Sequence, residues 1–162
     1  TVNDIINIKK RTDFFFIQIG NFTDRTEDLL LKVKELNLEN HVKFLGYTPN
    51  ASNFIPQFDT LLMTSQSEGI PQVIFESFYH KTPIITTDVG GIPEIIEDGV
   101  NGLLTPKHSP KLLSDKITYL FENTAIIEKL TDISYEKLIN NFLASTMAQK
   151  MLQEYKKIIY DK

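Results

Sequence analysis

Short apolar runs alternate along the chain with longer stretches of helical period, the pattern of βαβ units built around a parallel sheet. Phe14 to Ile19 reads as a strand closed by Gly20-Asn21, Val42 to Leu45 as a second closed by Gly46, and Thr60 to Met63 as a third. Pro83 to Thr87 and the short Gly102 to Leu104 add two more. All are brief and rich in Ile, Leu and Phe, as strands buried on both faces are. Between them, helical spacing recurs in Val2 to Lys10, in Gln72 to His80, and in Asp24 to Leu36, where Leu29, Leu30, Val33 and Leu36 share one side. A brief turn is expected near Asn50 to Ile55. After Pro106 only helices are predicted: one opened by Ser109 and Pro110, then Ala125 to Ile139 and Thr146 to Ile159. No internal repeat or Pro/Gly/Ser linker interrupts the pattern. The expected fold is therefore α/β: a single Rossmann-like, doubly wound parallel sheet over residues 1–162, with 109–162 as a helical tail of the same domain.

Composition excludes more than it adds. A chain of 162 residues suits one domain and hides about two thirds of its unfolded surface on folding. There are no cysteines, so neither a disulfide framework nor a thiolate metal site is available. With 17 Lys+Arg against 21 Asp+Glu and a net charge of -4, the overall field repels polyanions, and nucleic acid is not an expected partner. No apolar run reaches the roughly 18 to 20 residues of a spanning helix. The start, Thr1-Val2-Asn3-Asp4, has neither a basic nor an apolar leader region. A cytoplasmic protein is expected, with the inner face of the membrane as an alternative. The last helix, with Met147, Met151, Leu152, Tyr155, Ile158 and Ile159 beside Lys150, Lys156 and Lys157, could lie on a lipid surface, although docking on the chain's own core or on a missing domain is the simpler use. The Lys9-Lys10-Arg11 cluster reads as a solvated helix end.

In open parallel sheets ligands bind beyond the carboxyl ends of the strands, so the loops after strands are where chemistry is sought. After Met63 comes Thr64-Ser65-Gln66-Ser67-Glu68-Gly69-Ile70-Pro71, leading straight into the helix that holds Glu76. Gly69 permits close backbone approach, and Pro71 starts the helix, whose first amides are free for an anion or a hydroxyl. Glu68 stands before the turn and Glu76 about two helical turns beyond it, two carboxylates around one crevice that suit sugar hydroxyls. After Thr87, Asp88-Val89-Gly90-Gly91 offers paired glycines and bare amides that can nest a phosphate oxygen. The turn from Glu97 to Gly102 has ordinary turn chemistry. Each acid also has a plainer use, Glu68 as a charge at a helix start and Glu76 as a solvated helix residue, and Gly90-Gly91 can be a simple turn. Glu94 is read as support for its helix start, and Ser65 and Ser67 as local hydrogen-bonders, since no Gly-x-Ser-x-Gly elbow is present. His41, His80 and His108 have no metal-ligand spacing and are read as structural or surface residues.

These residues carry a family resemblance. The run Ser67-Glu68-Gly69-Ile70-Pro71-Gln72-Val73-Ile74-Phe75-Glu76-Ser77, followed by Thr82 to Leu104 with Asp88-Val89-Gly90-Gly91-Ile92-Pro93-Glu94 inside it, is similar to the C-terminal domain signature of the GT-B retaining glycosyltransferases of the group 1 type. The similarity reaches back through Val42-Lys43-Phe44-Leu45-Gly46-Tyr47 and forward through Asn141-Phe142 to Tyr155. It implies that Glu76 binds the ribose hydroxyls of a UDP-, GDP- or ADP-sugar donor. Glu68, the catalytic candidate, would contact the transferred sugar, with Gly69, Ile70 and Pro71 placing backbone against it. Gly90 and Gly91 would lie near the diphosphate, and Gly20, Gly46 and Tyr47 near the base. The family works without cofactor or metal ion and with retention, so neither is expected here.

The chain also departs from the family pattern. The strand with a Gly-Arg segment and the Lys-Gly pair that neutralise the diphosphate are not in the sequence, and Gly20-Asn21 stands where Gly-Asp-Gly is common. Nor is the N-terminal domain through which the family binds a glycan or lipid-linked acceptor. The expectation is thus a donor-binding half, weak in affinity and inactive alone, of an enzyme of polysaccharide or glycoconjugate biosynthesis. A non-catalytic nucleotide-sugar-binding module and a glycoside hydrolase using the same two acids are the alternatives.

Overall fold

Every strand that the apolar pattern predicts is present in the computed structural model, which describes residues 1–160, with ends displaced by at most two residues. The strands are β1 (Phe16–Ile19), β2 (Val42–Gly46), β3 (Leu61–Met63), β4 (Ile84–Thr87) and β5 (Leu103–Thr105). The helices are α1 (Thr26–Glu35), α2 (Gln72–Tyr79), the one-turn α3 (Ile92–Ile95), α4 (Pro110–Glu122), α5 (Ala125–Asn141) and α6 (Ala144–Tyr160). All strand pairs are parallel, as short apolar strands joined by helices require. They hydrogen-bond as two sheets, β1-β2 and β3-β4-β5, where one was expected. The chain divides in the same places into two compact units, Thr1–Phe54 with His108–Glu122, and Ile55–Lys107 with Asn123–Lys162.

In the first unit, the π-type turn Asp4–Ile8 packs against α4, with Ile5, Ile6, Leu113, Ile117 and Leu120 buried. The Asp4 carboxylate accepts a short hydrogen bond from the Ser114 hydroxyl. The basic cluster is no solvated helix end. Lys9 Nζ lies 2.8 Å from Asp115 and donates to Thr118, and Arg11 pairs with Asp13 and Glu122, so the two flanking cations form an ionic seam onto α4 while Lys10 is exposed. Just before β1, Phe14 is buried edge-on against Phe121, with ring centroids 4.8 Å apart, while Phe15 next to it is 55% exposed; within β1, Ile17 is 42% exposed, beside an exposed Leu45. Burial on both faces therefore fails here, because alternation determines which side chains share a face but does not supply a layer to cover it. In α1, likewise, Leu29, Leu30 and Leu31 are exposed, and of its expected apolar side only Val33 and Leu36 are half-buried.

The second unit matches the expectation more closely. β4 lies between β3 and β5 and is buried along its whole length. Ile74 and Phe78 of α2 meet Ile84, Val89, Ile92, Ile95, Ile96 and Leu138 in one core. α2 packs on α5, and the Phe75 ring lies tilted against Phe142 just beyond it, with centroids 5.0 Å apart. The buried Ser77 hydroxyl donates to the Thr82 carbonyl at 2.6 Å, so even the core-facing polar group is satisfied. In α6 the stripe Met147, Met151, Leu152, Tyr155, Ile158 and Ile159 is exposed throughout, so it does not dock on the chain's own core. No helix among the described residues is long and apolar enough to cross a membrane.

Candidate functional site

Parallel pairing aligns the carboxyl ends of β3, β4 and β5, with Met63 opposite Thr86 and Thr87 opposite Thr105. The loops after β3 and β4 therefore leave the second unit's sheet side by side, and seven of the expected site residues lie on them or on α2. Pro71 is extended (φ -69, ψ 133) and α2 begins at Gln72 with no side-chain cap, while the Ile74 N–H of the first turn donates to the Pro71 carbonyl at 3.1 Å. Glu76 lies four residues past Gln72, a little over one helical turn into α2 rather than the two expected. It is half-buried, as is Glu68 on the loop. Among the described residues neither carboxylate has an ion pair or a hydrogen-bond donor. Ile70 is exposed and Pro71 half-buried.

The glycines of these loops differ. A side chain at Gly69 would meet no protein atom within 4 Å, so this glycine faces open space. Gly90, at φ +57, is in the left-handed region that glycine adopts without cost, and a Cβ there would lie 1.7 Å from the Glu68 carbonyl oxygen. The Gly91 N–H donates to the Gly69 carbonyl at 3.1 Å. The pair therefore does not present two bare amides, and packing against the neighbouring loop is reason enough for two glycines.

Two features had no distinct signal in the sequence. The buried Thr87 hydroxyl donates to the Ser65 carbonyl at 2.6 Å, tying the end of β4 to the loop after β3. A threonine at a strand end beside a glycine loop is the only hint. The turn at Asn101 is also more than ordinary. Asn101 is buried, accepts from the Glu97 N–H at 2.7 Å and donates to the Ile95 carbonyl at 3.0 Å, while Asp98 accepts from the Leu104 N–H. An exposed Asn-Gly turn and a sealed one have the same sequence.

The remaining three expected residues belong to the first unit. The Gly20 N–H donates to the Gly46 carbonyl at 3.0 Å, closing the β1-β2 pair at its carboxyl end. Gly46 is buried against Phe22, whose ring would lie 3.2 Å from a Cβ. Tyr47 beside it is 74% exposed. Of the histidines, half-buried His41 donates a ring N–H to the Phe14 carbonyl at 3.0 Å, and His108 is exposed. No group of three or more His, Asp or Glu residues among the described residues is placed to hold a metal ion.

N-acetyl-alpha-D-glucosaminyl L-malate synthase of Bacillus anthracis is 29% identical over 133 residues, covering 82% of this chain and 34% of that protein. The Anabaena protein Alr3699/HepE, solved in complex with UDP, superposes with a TM-score of 0.82 at 25% identity, covering 90% of this chain and 42% of the other. The C-terminal domain of LpcC from Francisella tularensis, a glycosyl transferase group 1 family protein, superposes with a TM-score of 0.77 at 25% identity, covering 88% of this chain and 77% of that domain. The chain thus spans about a third of the length of the curated relatives it matches and has the α/β, Rossmann-like architecture of GT-B C-terminal domains. The family model described as glycosyl transferases group 1 matches residues 4–141, and the chain belongs to that family.

Proposed function

We propose that the second unit binds a nucleoside-diphosphate sugar, the donor for retaining transfer to a glycan or lipid-linked acceptor in polysaccharide or glycoconjugate biosynthesis. One observation carries the reading: Glu68 and Glu76 are half-buried, without ion pair or donor among the described residues, at the carboxyl end of β3 and in the first turns of α2. A partly desolvated carboxylate without a partner is a strong acceptor, and vicinal sugar hydroxyls supply two donors each can take. In this reading Glu76 holds the ribose hydroxyls. Glu68 faces the transferred sugar and stabilises the positive charge that develops at the anomeric carbon as its bond to the donor phosphate breaks and the bond to the acceptor oxygen forms on the same face, the acceptor hydroxyl's proton passing to the departing phosphate oxygen. The open side of Gly69 lets the sugar approach the backbone, flanked by Ile70 and Pro71. Gly20, Gly46 and Tyr47 enter only as residues of the first unit, where an exposed aromatic at a strand end suits a base.

Support comes from relatives whose names record glycosyl transfer and from the UDP and UDP-glucose complexes of Alr3699/HepE. Because the chain matches about a third of the length of those relatives, it is expected to bind donor without transferring it alone. Calorimetry and NMR titration with UDP, GDP and ADP and their hexose conjugates test the reading. Glu76→Ala is expected to weaken nucleotide binding about tenfold. Glu68→Gln should spare the nucleotide and weaken only the conjugate. Binding unchanged in Glu76→Ala defeats the site assignment. Once an acceptor-binding partner restores transfer, inversion at the anomeric carbon defeats the retaining mechanism, and binding without turnover favours a non-catalytic module.

A further inference from the structure

The loop holding Glu68 is tied to its neighbour at three successive points, all within the second unit. The Thr87 hydroxyl donates to the Ser65 carbonyl at 2.6 Å. Gly90 approaches Glu68 so closely that any side chain would displace the Glu68 carbonyl. The Gly91 N–H donates to the Gly69 carbonyl at 3.1 Å. The tying segment is itself rooted in rigid structure. Asp88 N–H donates to Thr105 of β5 at 2.8 Å, and Val89 and Ile92 are buried in the core. The loop it holds has fewer roots of its own, since Thr64, Gln66, Ser67, Gly69 and Ile70 are exposed.

We propose that Thr87, Gly90 and Gly91 are positioning residues: they brace the Glu68-Gly69-Ile70 segment so that it meets the transferred sugar at one fixed place, without touching the donor themselves. The inference rests on the donor-binding reading but assigns these residues another duty. The pair of glycines serves contact between loops, and the Gly91 amide is committed to Gly69 rather than to a phosphate. Thr87, which no motif singles out, becomes the anchor of the sugar-facing loop. Alignment of a reacting group is where a small displacement has large effects, and a brace of this kind acts on the sugar while leaving the ribose carboxylate on α2 in place.

The test compares nucleotide with nucleotide sugar on the 162-residue chain. NMR titration to millimolar concentration with UDP, GDP and ADP and their glucose, N-acetylglucosamine and mannose conjugates gives the extra affinity conferred by the sugar, together with the shifts of the Gly69 and Ile70 amides. Thr87→Val removes the hydroxyl at nearly constant volume. It is expected to keep nucleotide affinity within about twofold and to lose about tenfold in the sugar increment. Thr87→Ser, which keeps the hydroxyl, should restore that increment. Gly90→Ala should behave as Thr87→Val does, and if it fails to fold the threonine pair decides alone. A wild-type ratio in Thr87→Val overturns the brace and leaves the donor reading intact. So does a parallel loss of both affinities with a lowered melting temperature, since that marks a structural role only. A wild type that binds no nucleotide overturns the donor reading and the brace with it, and one that binds nucleotide and conjugate equally overturns the sugar contact at Glu68.

Discussion

The two units of this chain use the same vocabulary of short parallel strands and helices, and they bury it differently. In the second, β4 is covered along its full length and one cluster of Ile, Leu, Val and Phe side chains ties α2, α3 and α5 to the sheet. In the first, Ile17 of β1, Leu45 of β2 and Phe15 just before β1 are left partly exposed, and α1 leaves three consecutive leucines exposed. The contrast shows what a site requires. Glu68, Glu76 and their loops stand around a sheet whose central strand, β4, is buried on both sides, which can hold side chains in place without a ligand. Gly20, Gly46 and Tyr47 stand on a two-stranded ribbon whose outer face is only partly covered among the described residues.

The most damaging way to probe this contrast is to hollow each unit in turn. Phe78→Ala removes a ring with no exposed surface and is expected to cost about 3–5 kcal/mol, whereas Ile17→Ser, at a position 42% exposed, should cost only about 1–2 kcal/mol. Chemical denaturation measures both. Equal costs would mean that the outer face of β1 is buried in solution and that the contrast is false. A milder pair lies within the second unit. A Cβ at Gly102 would come within 2.9 Å of Ile96 and 3.1 Å of Ile84, so Gly102→Ala is expected to destabilise by about 1–3 kcal/mol through overpacking. Gly69→Ala meets open space, so it should leave the melting temperature unchanged and appear only as weakened binding of nucleotide sugars. A melting shift from Gly69→Ala equal to that from Gly102→Ala would remove the distinction between packed and ligand-facing glycines.

The smallest effect belongs to the ionic seam of the first unit. The hydrogen bond from Lys9, aided by the charges of Lys9 and Lys111, holds the Asp115 carboxyl below its ordinary value of 3.8. The folded chain therefore binds fewer protons here than the unfolded one. The seam's contribution is complete above pH about 5 and is lost as the pH falls through the lowered value of the folded state. Asp115→Asn should be slightly less stable than wild type near neutrality, with the difference closing as the pH drops below that range. A difference that persists at low pH would mean that packing, not charge, joins the π-type turn to α4.

The strands and helices of the second unit were legible because an apolar run bounded by Gly or Pro leaves the chain little choice. Ile84 to Thr87 between Pro83 and Asp88 is buried as such a run should be. The position of the two carboxylates was legible for the same reason: a Gly-Ile-Pro turn ahead of a helix puts Glu68 on the loop after β3 and Glu76 on α2. The pattern in α1 was equally clear, yet its leucines are exposed, since periodicity reports which residues share a side and not what lies against it. The basic cluster Lys9-Lys10-Arg11 looked solvated because its partners, Asp115 and Glu122, are about a hundred residues away in sequence. The duty of Gly90 is hidden for the same reason. A glycine needed for a turn and one needed because another loop passes within van der Waals range are the same letter, and only the approach of Glu68 separates them.

The sealed turn before β5 also bears on how the protein ages. Asn101-Gly102 is the one Asn-Gly step in the chain, the sequence most prone to cyclise, because the glycine nitrogen reaches the asparagine side-chain carbonyl with no side chain in the way. Cyclisation needs that side chain to swing free and water to follow. Here its oxygen is held by the Glu97 N–H and its amide by the Ile95 carbonyl, with the whole residue buried. As long as this turn stays folded, storage should add no negative charge at Asn101, and a deamidated peptide from this position would mark molecules in which the turn had already opened.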